Sequence, residues 1–156
     1  LNLEGAQAGL SWSIVLAKRD EYKKAFRDFD IEYCLQLSDE ELEKIRQDYN
    51  VIKNSAKIKA VRSNAAAVIQ LKKEFGSFSD FLWSYVDFKP VVNSWETEGQ
   101  MPAQSDLSEQ ISKDLKKRGF KFVGPVIIYS FLQAIGMVDD HIKTCPQHTA
   151  NRQTVK

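Results

Sequence analysis

Thiols are scarce in this chain. Cys34 and Cys145 are the only two, and they lie far apart. A disulfide framework is therefore not expected, and a reducing, cytoplasmic setting is the default. No apolar run approaches the length of a membrane span, so no membrane partner is expected. The start carries no basic-then-apolar stretch of the signal-peptide kind. Runs of alternating strand residues are also missing, and Val91-Val92 is too short to count as a strand. Repeats and low-complexity tracts are absent. So is an excess of one charge: 22 basic residues face 21 acidic ones, for a net charge of +1. That balance excludes a histone-like or polybasic binder. Any contact with nucleic acid must be local and salt-sensitive.

What is present is helical. The 156 residues, 43% of them hydrophobic and 28% charged, suffice for one domain with a buried core. Ser11 can cap a helix carrying Trp12, Ile14, Val15 and Leu16, which continues with a kink through Tyr22, Ala25 and Phe26. Asp30 caps a short helix with Tyr33, Cys34 and Leu37. Ser38 and Glu41 form a capping box for a helix reaching about Tyr49. Asn54 to Phe75 is the longest helical signal, with Ile58, Val61, Ala65 and Val68 on one stripe and Gly76 at its end. Ser77 or Ser79 opens the next helix, through Phe81 and Leu82. Residues 90–102 read as irregular, with Trp95 on the surface of the core. The expectation is an all-α bundle of about six to eight helices over residues 1–145, then a loose polar tail over 146–156.

The densest signal lies between two helices. Leu107, Ile111 and Leu115 recur at four-residue spacing, from a start at Ser105 or Ser108, and form one apolar face. Gly119 can take the left-handed conformation that closes that helix. Pro125 suits the first position of the next, which runs through Ile127, Ile128 and Phe131 to Gly136. Gly124 would leave backbone N–H groups bare at the new helix start, where unpaired donors and the helix dipole both favour phosphate. Lys113, Lys116, Lys117, Arg118 and Lys121 face one acid, Asp114. The pattern is that of a helix-hairpin-helix, which grips a nucleic-acid backbone. Its alternative is an ordinary helical turn with a solvated lysine face.

Leu3-Glu4-Gly5-Ala6-Gln7-Ala8-Gly9-Leu10-Ser11-Trp12 is unusual for its small residues, which let something bulky approach the backbone. Three further blocks follow: Phe75-Gly76-Ser77-Phe78-Ser79-Asp80-Phe81-Leu82-Trp83-Ser84, Leu115 to Gly124, and Val138-Asp139-Asp140-His141-Ile142-Lys143-Thr144-Cys145. In this order and spacing they resemble the bacterial DNA-3-methyladenine glycosylase I family, within the helix-hairpin-helix DNA repair glycosylases. The resemblance runs from Leu3 to Cys145.

That resemblance implies a DNA repair enzyme that hydrolyses the N-glycosidic bond of 3-methyladenine in alkylated double-stranded DNA, without strand cleavage. Glu4 carries over as the catalytic and base-reading carboxylate, and Trp12 as the aromatic wall for the extruded base. Leu10 is either the wedge filling the gap in the DNA or a buried core residue. Lys117, Gly119, Lys121 and Gly124 belong to the phosphate-holding hairpin. His141 and Cys145, at i, i+4 spacing on a helical turn, align with half of a structural zinc site. The other half belongs to an N-terminal segment of the family that the sequence, opening at Leu1, does not contain. His148, in the polar tail, is a poor substitute. Two ligands rarely hold structural zinc, so zinc is expected to bind weakly or not at all. The same segment supplies aromatics to the family's pocket, so impaired activity is expected unless the full-length protein contains it. The chain is expected to act as a monomer. Competing readings are a catalytically impaired or truncated DNA-binding relative, and an all-helical interaction protein.

Overall fold

The structure, a computed structural model, describes residues 1–152. Five of the helices begin on a side-chain cap; Ser11, expected as a cap, is corrected, since it makes no cap bond and its hydroxyl pairs with that of Ser13. Asp30 accepts from the Tyr33 amide at 2.7 Å to open α4 (Ile31–Gln36). The Asp30-capped α4 is preceded by α1 (Asn2–Gln7), α2 (Trp12–Ala17) and α3 (Arg19–Ala25). Ser38 and Glu41 exchange side-chain and backbone bonds at the start of α5 (Asp39–Asp48). Asn54 caps α6 (Ser55–Phe75), Ser77 caps α7 (Phe78–Ser84), and Ser105 caps α8 (Asp106–Lys117). Each such cap contributes about 1 kcal/mol. α9 (Pro125–Ala134) opens instead on a proline behind Gly124, with no side-chain cap.

The all-α expectation holds, with nine α-helices among the described residues. The excess over six to eight arises because the run from Trp12 to Phe26 breaks at Lys18 and α1 stands alone. Val91–Val92 is a correction. It forms β1, which pairs in parallel with β2 (Val138–Asp139), Val91 opposite Val138. Two residues carry no readable alternation, so only the partner strand reveals them.

The loose tail is corrected as far as Arg152; residues 153–156 lie outside the described part. His148 is buried, its Nε2 2.9 Å from the Asn93 carbonyl oxygen and its Nδ1 accepting from the Ala150 amide at 3.1 Å. The Thr149 amide donates to buried Asp139 at 2.7 Å. A polar composition concealed these partners, which come from distant parts of the chain.

α6 joins two apolar cores. Its first half places Ile58, Val61 and Ala65 among Val15, Phe26, Leu37 and Leu42. Its second half places Ala67 and Leu71 among Phe81, Ile111, Leu115, Phe120, Ile128 and Leu132. α1 lies across the junction, in contact with α2, α6 and α9. Buried Asn64 ties the junction together. Its Oδ1 accepts from the Lys121 amide at 2.8 Å, and its Nδ2 donates to Asn2 Oδ1 at 2.8 Å and to the Lys121 carbonyl at 3.3 Å.

Asn64→Ala would leave the Lys121 peptide without a partner. It is expected to lower stability by about 1–3 kcal/mol, read as an earlier urea midpoint with an unchanged slope.

Candidate base pocket and nucleic-acid interface

Glu4 and Gln7 of α1, Trp12 at the start of α2, and Ser130, Gln133 and Ala134 of α9 line one cavity of about 330 Å³. The structure thus brings together the carboxylate and the indole. Trp12 is 39% exposed, so its ring is a wall of the cavity and not a core residue. Glu4 is only 9% exposed, yet among the described residues no donor is hydrogen-bonded to its carboxylate. Burial pushes its carboxyl above the ordinary value. A buried, unpartnered carboxylate is costly, and it attracts a cation or a donor.

The segment between these two residues is clamped from below. Lys57 Nζ donates to the Ala6 and Ala8 carbonyls at 2.9 and 2.6 Å, holding the orphan acceptors at the end of α1. Gln7 closes the next turn, accepting from the Leu10 amide and donating Nε2–H to the Leu10 carbonyl, both at 2.7 Å. Leu10 is half-buried on that turn. α1 also meets the hairpin at Gly5, where a Cβ would come within 3.1 Å of the Phe122 Cβ and carbonyl oxygen. Only glycine permits that approach.

The hairpin itself is formed, with α8 packed on α9. Gly119 sits at φ +91°, as expected for the residue closing α8. Its amide is bonded to the Lys116 carbonyl at 3.0 Å, so Gly119 shapes the turn and is not itself a free donor. The Lys121 amide is likewise turned inward, onto Asn64, so only the exposed Lys121 side chain is available outward. The amides of Phe122, Val123, Gly124, Val126 and Ile127 have no hydrogen-bond partner among the described residues. Gly124 therefore keeps its place, and the donor group lies further along the chain than Gly119. Phe122 is held at φ +55°, an uncommon conformation for a bulky residue. Ser112 Oγ bonds the next carbonyl, that of Val123, at 2.6 Å. The basic cluster is smaller than its composition. Arg118 is spent on both oxygens of Glu74, leaving Lys113, Lys116, Lys117 and Lys121 exposed, Lys117 with Asp114 3.7 Å away.

His141 and Cys145 are not on a helix, which corrects the i, i+4 argument for them; the segment after β2 is a chain of turns. Both nevertheless line a second cavity, of about 700 Å³. His141 Nδ1 lies 2.6 Å from Asp139 Oδ1, leaving Nε2 outward, the arrangement usual for a metal-binding histidine. Among the described residues no group of three or more His, Cys, Asp or Glu side chains could hold a metal. His148 has both ring nitrogens engaged.

Ser130 and Gln133 escaped the sequence reading. Their signal was available: two polar residues three apart in an otherwise apolar helix, on one face. Asp140 also escaped. It is buried and accepts from Asn93 Nδ2 at 2.6 Å, Trp95 Nε1 at 2.7 Å, Gln133 Nε2 at 2.7 Å and the Tyr129 hydroxyl. Its carboxyl is held below the ordinary value by these four donors, against the opposing effect of burial.

Residues 1–148 match the methyladenine glycosylase family model. The chain is 43% identical over 150 residues to DNA-3-methyladenine glycosylase 1 of Escherichia coli (strain K12), covering 96% of this chain and 80% of that protein. It is 41% identical over 148 residues to the DNA-3-methyladenine glycosylase of Haemophilus influenzae, covering 95% and 80%. A crystal structure of 3-methyladenine DNA glycosylase I superposes with a TM-score of 0.90 at 43% identity, covering 94% of this chain and 81% of the other. A Staphylococcus aureus 3-methyladenine DNA glycosylase I, solved to explain 3-methyladenine recognition, gives 0.91 at 39% identity, covering 94% and 78%.

A carboxyl raised on folding costs stability once it ionises. The cost is absent below its unfolded value and complete above its folded value, so it grows as pH rises between them. Glu4→Gln is therefore expected to melt higher than the parent chain at pH 7 and level with it near pH 3, in paired thermal melts.

Proposed function

The chain belongs to the methyladenine glycosylase family, and we propose that the Glu4–Trp12 cavity is where it holds the base it removes. It is a DNA glycosylase that hydrolyses the N-glycosidic bond of 3-methyladenine in alkylated DNA. Methylation at N3 makes the adenine ring cationic. When the C1′–N9 bond breaks, its electron pair neutralises the ring and the base leaves uncharged. Water supplies the oxygen that bonds C1′ and gives its proton to solvent, leaving an abasic site. Leaving-group protonation is thus dispensable, and the task that remains is recognition.

Glu4 performs that recognition. Its unpartnered carboxylate can accept from the exocyclic amine, and it favours a cationic adduct over neutral adenine. As the bond breaks the positive charge passes toward the sugar, and the same anion attracts it there. Trp12 offers a stacking face. No lysine lines the cavity, so no amine is available for a covalent sugar intermediate, and strand cleavage is not expected. Outside the cavity, the free amides from Phe122 to Ile127 and the Lys121 side chain hold the phosphates. Half-buried Leu10, on the turn beside the cavity, is the wedge into the vacated stack. A cytoplasmic monomer acting on duplex DNA fits this reading. No helix of the described residues is long and apolar enough to cross a membrane, and both cysteines are free. The observation that carries the proposal is a largely buried glutamate whose carboxylate has no partner among the described residues and opens only on the cavity it shares with an exposed indole.

For zinc, His141 Nε2 and the Cys145 thiolate would be two of four ligands, and the metal would brace the turns after β2 without entering the reaction.

Glu4→Gln is expected to cut 3-methyladenine release roughly ten- to a hundred-fold, the worth of one hydrogen bond to a charged group, while plain duplex binding is kept. Lys121→Ala should lower the slope of log affinity against log salt by about one contact and leave binding of the free base intact. Equal loss of both activities in both variants would contradict the division of labour. Dialysis against a chelator is expected to leave the melting temperature of this chain unchanged; a stoichiometric, four-ligand zinc would contradict the half-site.

A further inference from the structure

Gln133 stands between the two cavities and lines both. Asp140 lines only the one with His141 and Cys145. The Gln133 amide is not free to turn. Its Nε2 donates to Asp140 Oδ2 at 2.7 Å, in a carboxylate surrounded by donors. The same carboxylate accepts from Asn93, Trp95 and the Tyr129 hydroxyl as well. With Nε2 so placed, the carbonyl oxygen of Gln133 is left over, without a donor among the described residues. With the nitrogen anchored toward Asp140, that oxygen is the atom remaining for the cavity with Glu4.

We propose that Gln133 is a specificity-determining residue: its carbonyl, locked by Asp140, stands with Glu4 as a second pure acceptor reading the exocyclic amine of the adduct. The inference rests on the base-pocket reading of the Glu4 cavity. Two acceptors suit an adenine-type edge, whose amine carries two hydrogens. They repel a guanine-type edge, which presents a carbonyl oxygen at the corresponding position. Positive charge alone does not make this distinction, because 7-methylguanine in DNA is cationic too. The geometry therefore divides the labour: Glu4 selects for charge, and the pair selects for the amine. Asp140 is a positioning residue that acts through Gln133.

The test uses duplex DNA methylated to carry both 3-methyladenine and 7-methylguanine, with the released bases separated by chromatography. Gln133→Met keeps the shape of the side chain and removes its acceptor. It is expected to lower 3-methyladenine kcat/KM about ten-fold and to narrow the preference over 7-methylguanine. Asp140→Asn lets the Gln133 amide reverse and present its NH₂ group. The preference is then expected to shift toward 7-methylguanine, with a changed side-chain amide signal of Gln133 in ¹⁵N spectra. Thermal melts of both variants identify any loss due to unfolding, and Gln133→Met decides the matter if Asp140→Asn does not fold. Unchanged release and unchanged preference in folded Gln133→Met, while Glu4→Gln loses activity, would overturn the inference. If Glu4→Gln is also without effect, the base-pocket reading falls and takes the inference with it.

Discussion

A largely buried glutamate with no protein donor on its carboxylate among the described residues, open only to one cavity, is the constraint on which this molecule turns. Glu4 is buried beside the apolar residues Gly5 and Ala6, and no donor comes to it. α1 is held so that the carboxylate faces the cavity and no protein donor. Its neighbours over-determine its position. Lys57 holds the carbonyls at its end, Gly5 is wedged on Phe122, and Asn64 reaches Asn2 at its start. Stability is given up at one side chain, and the surrounding bonds keep that side chain aimed into the cavity. Strained or unsatisfied groups persist where the fold holds them and function uses them.

The same contacts join reading to gripping. Asn64 bonds Asn2 in α1 and Lys121 in the hairpin, and Gly5 touches Phe122 directly. On the proposed reading, a phosphate on the amides ahead of α9 would sit in fixed register to the Glu4 cavity. α9 supplies both ends of this device. Its first turn offers unpaired N–H groups, and its last carries Ser130 and Gln133 into the cavity wall. The single helix sets the distance between backbone and base. Placing a site on rigid elements in this way limits loss of reactive geometry.

Local chemistry was legible in the sequence, and distant partnership was not. The caps at Asp30, Ser38, Asn54 and Ser77 each state a helix start within four residues, and the structure agrees. Gly119 and Pro125 marked the end of α8 and the start of α9. The block from Leu3 to Trp12 named the carboxylate and the indole, though only through a family likeness, since a lone Glu and a lone Trp carry no such meaning. What failed depended on residues far apart in the chain. Lys121 looked outward by charge, but its amide answers to Asn64. His148 looked loose by composition, but Asn93 holds it. The β1–β2 pair and the four donors on Asp140 exist only once the chain has closed on itself.

The most direct test is a ¹³C-detected pH titration of the Glu4 side-chain carboxyl, in the free protein and with 3-methyladenine present. The account predicts a value above that of an ordinary glutamate in the free protein, falling when the base supplies the missing donor. A Glu4 carboxyl that titrates like a solvated one, indifferent to the base, would contradict it.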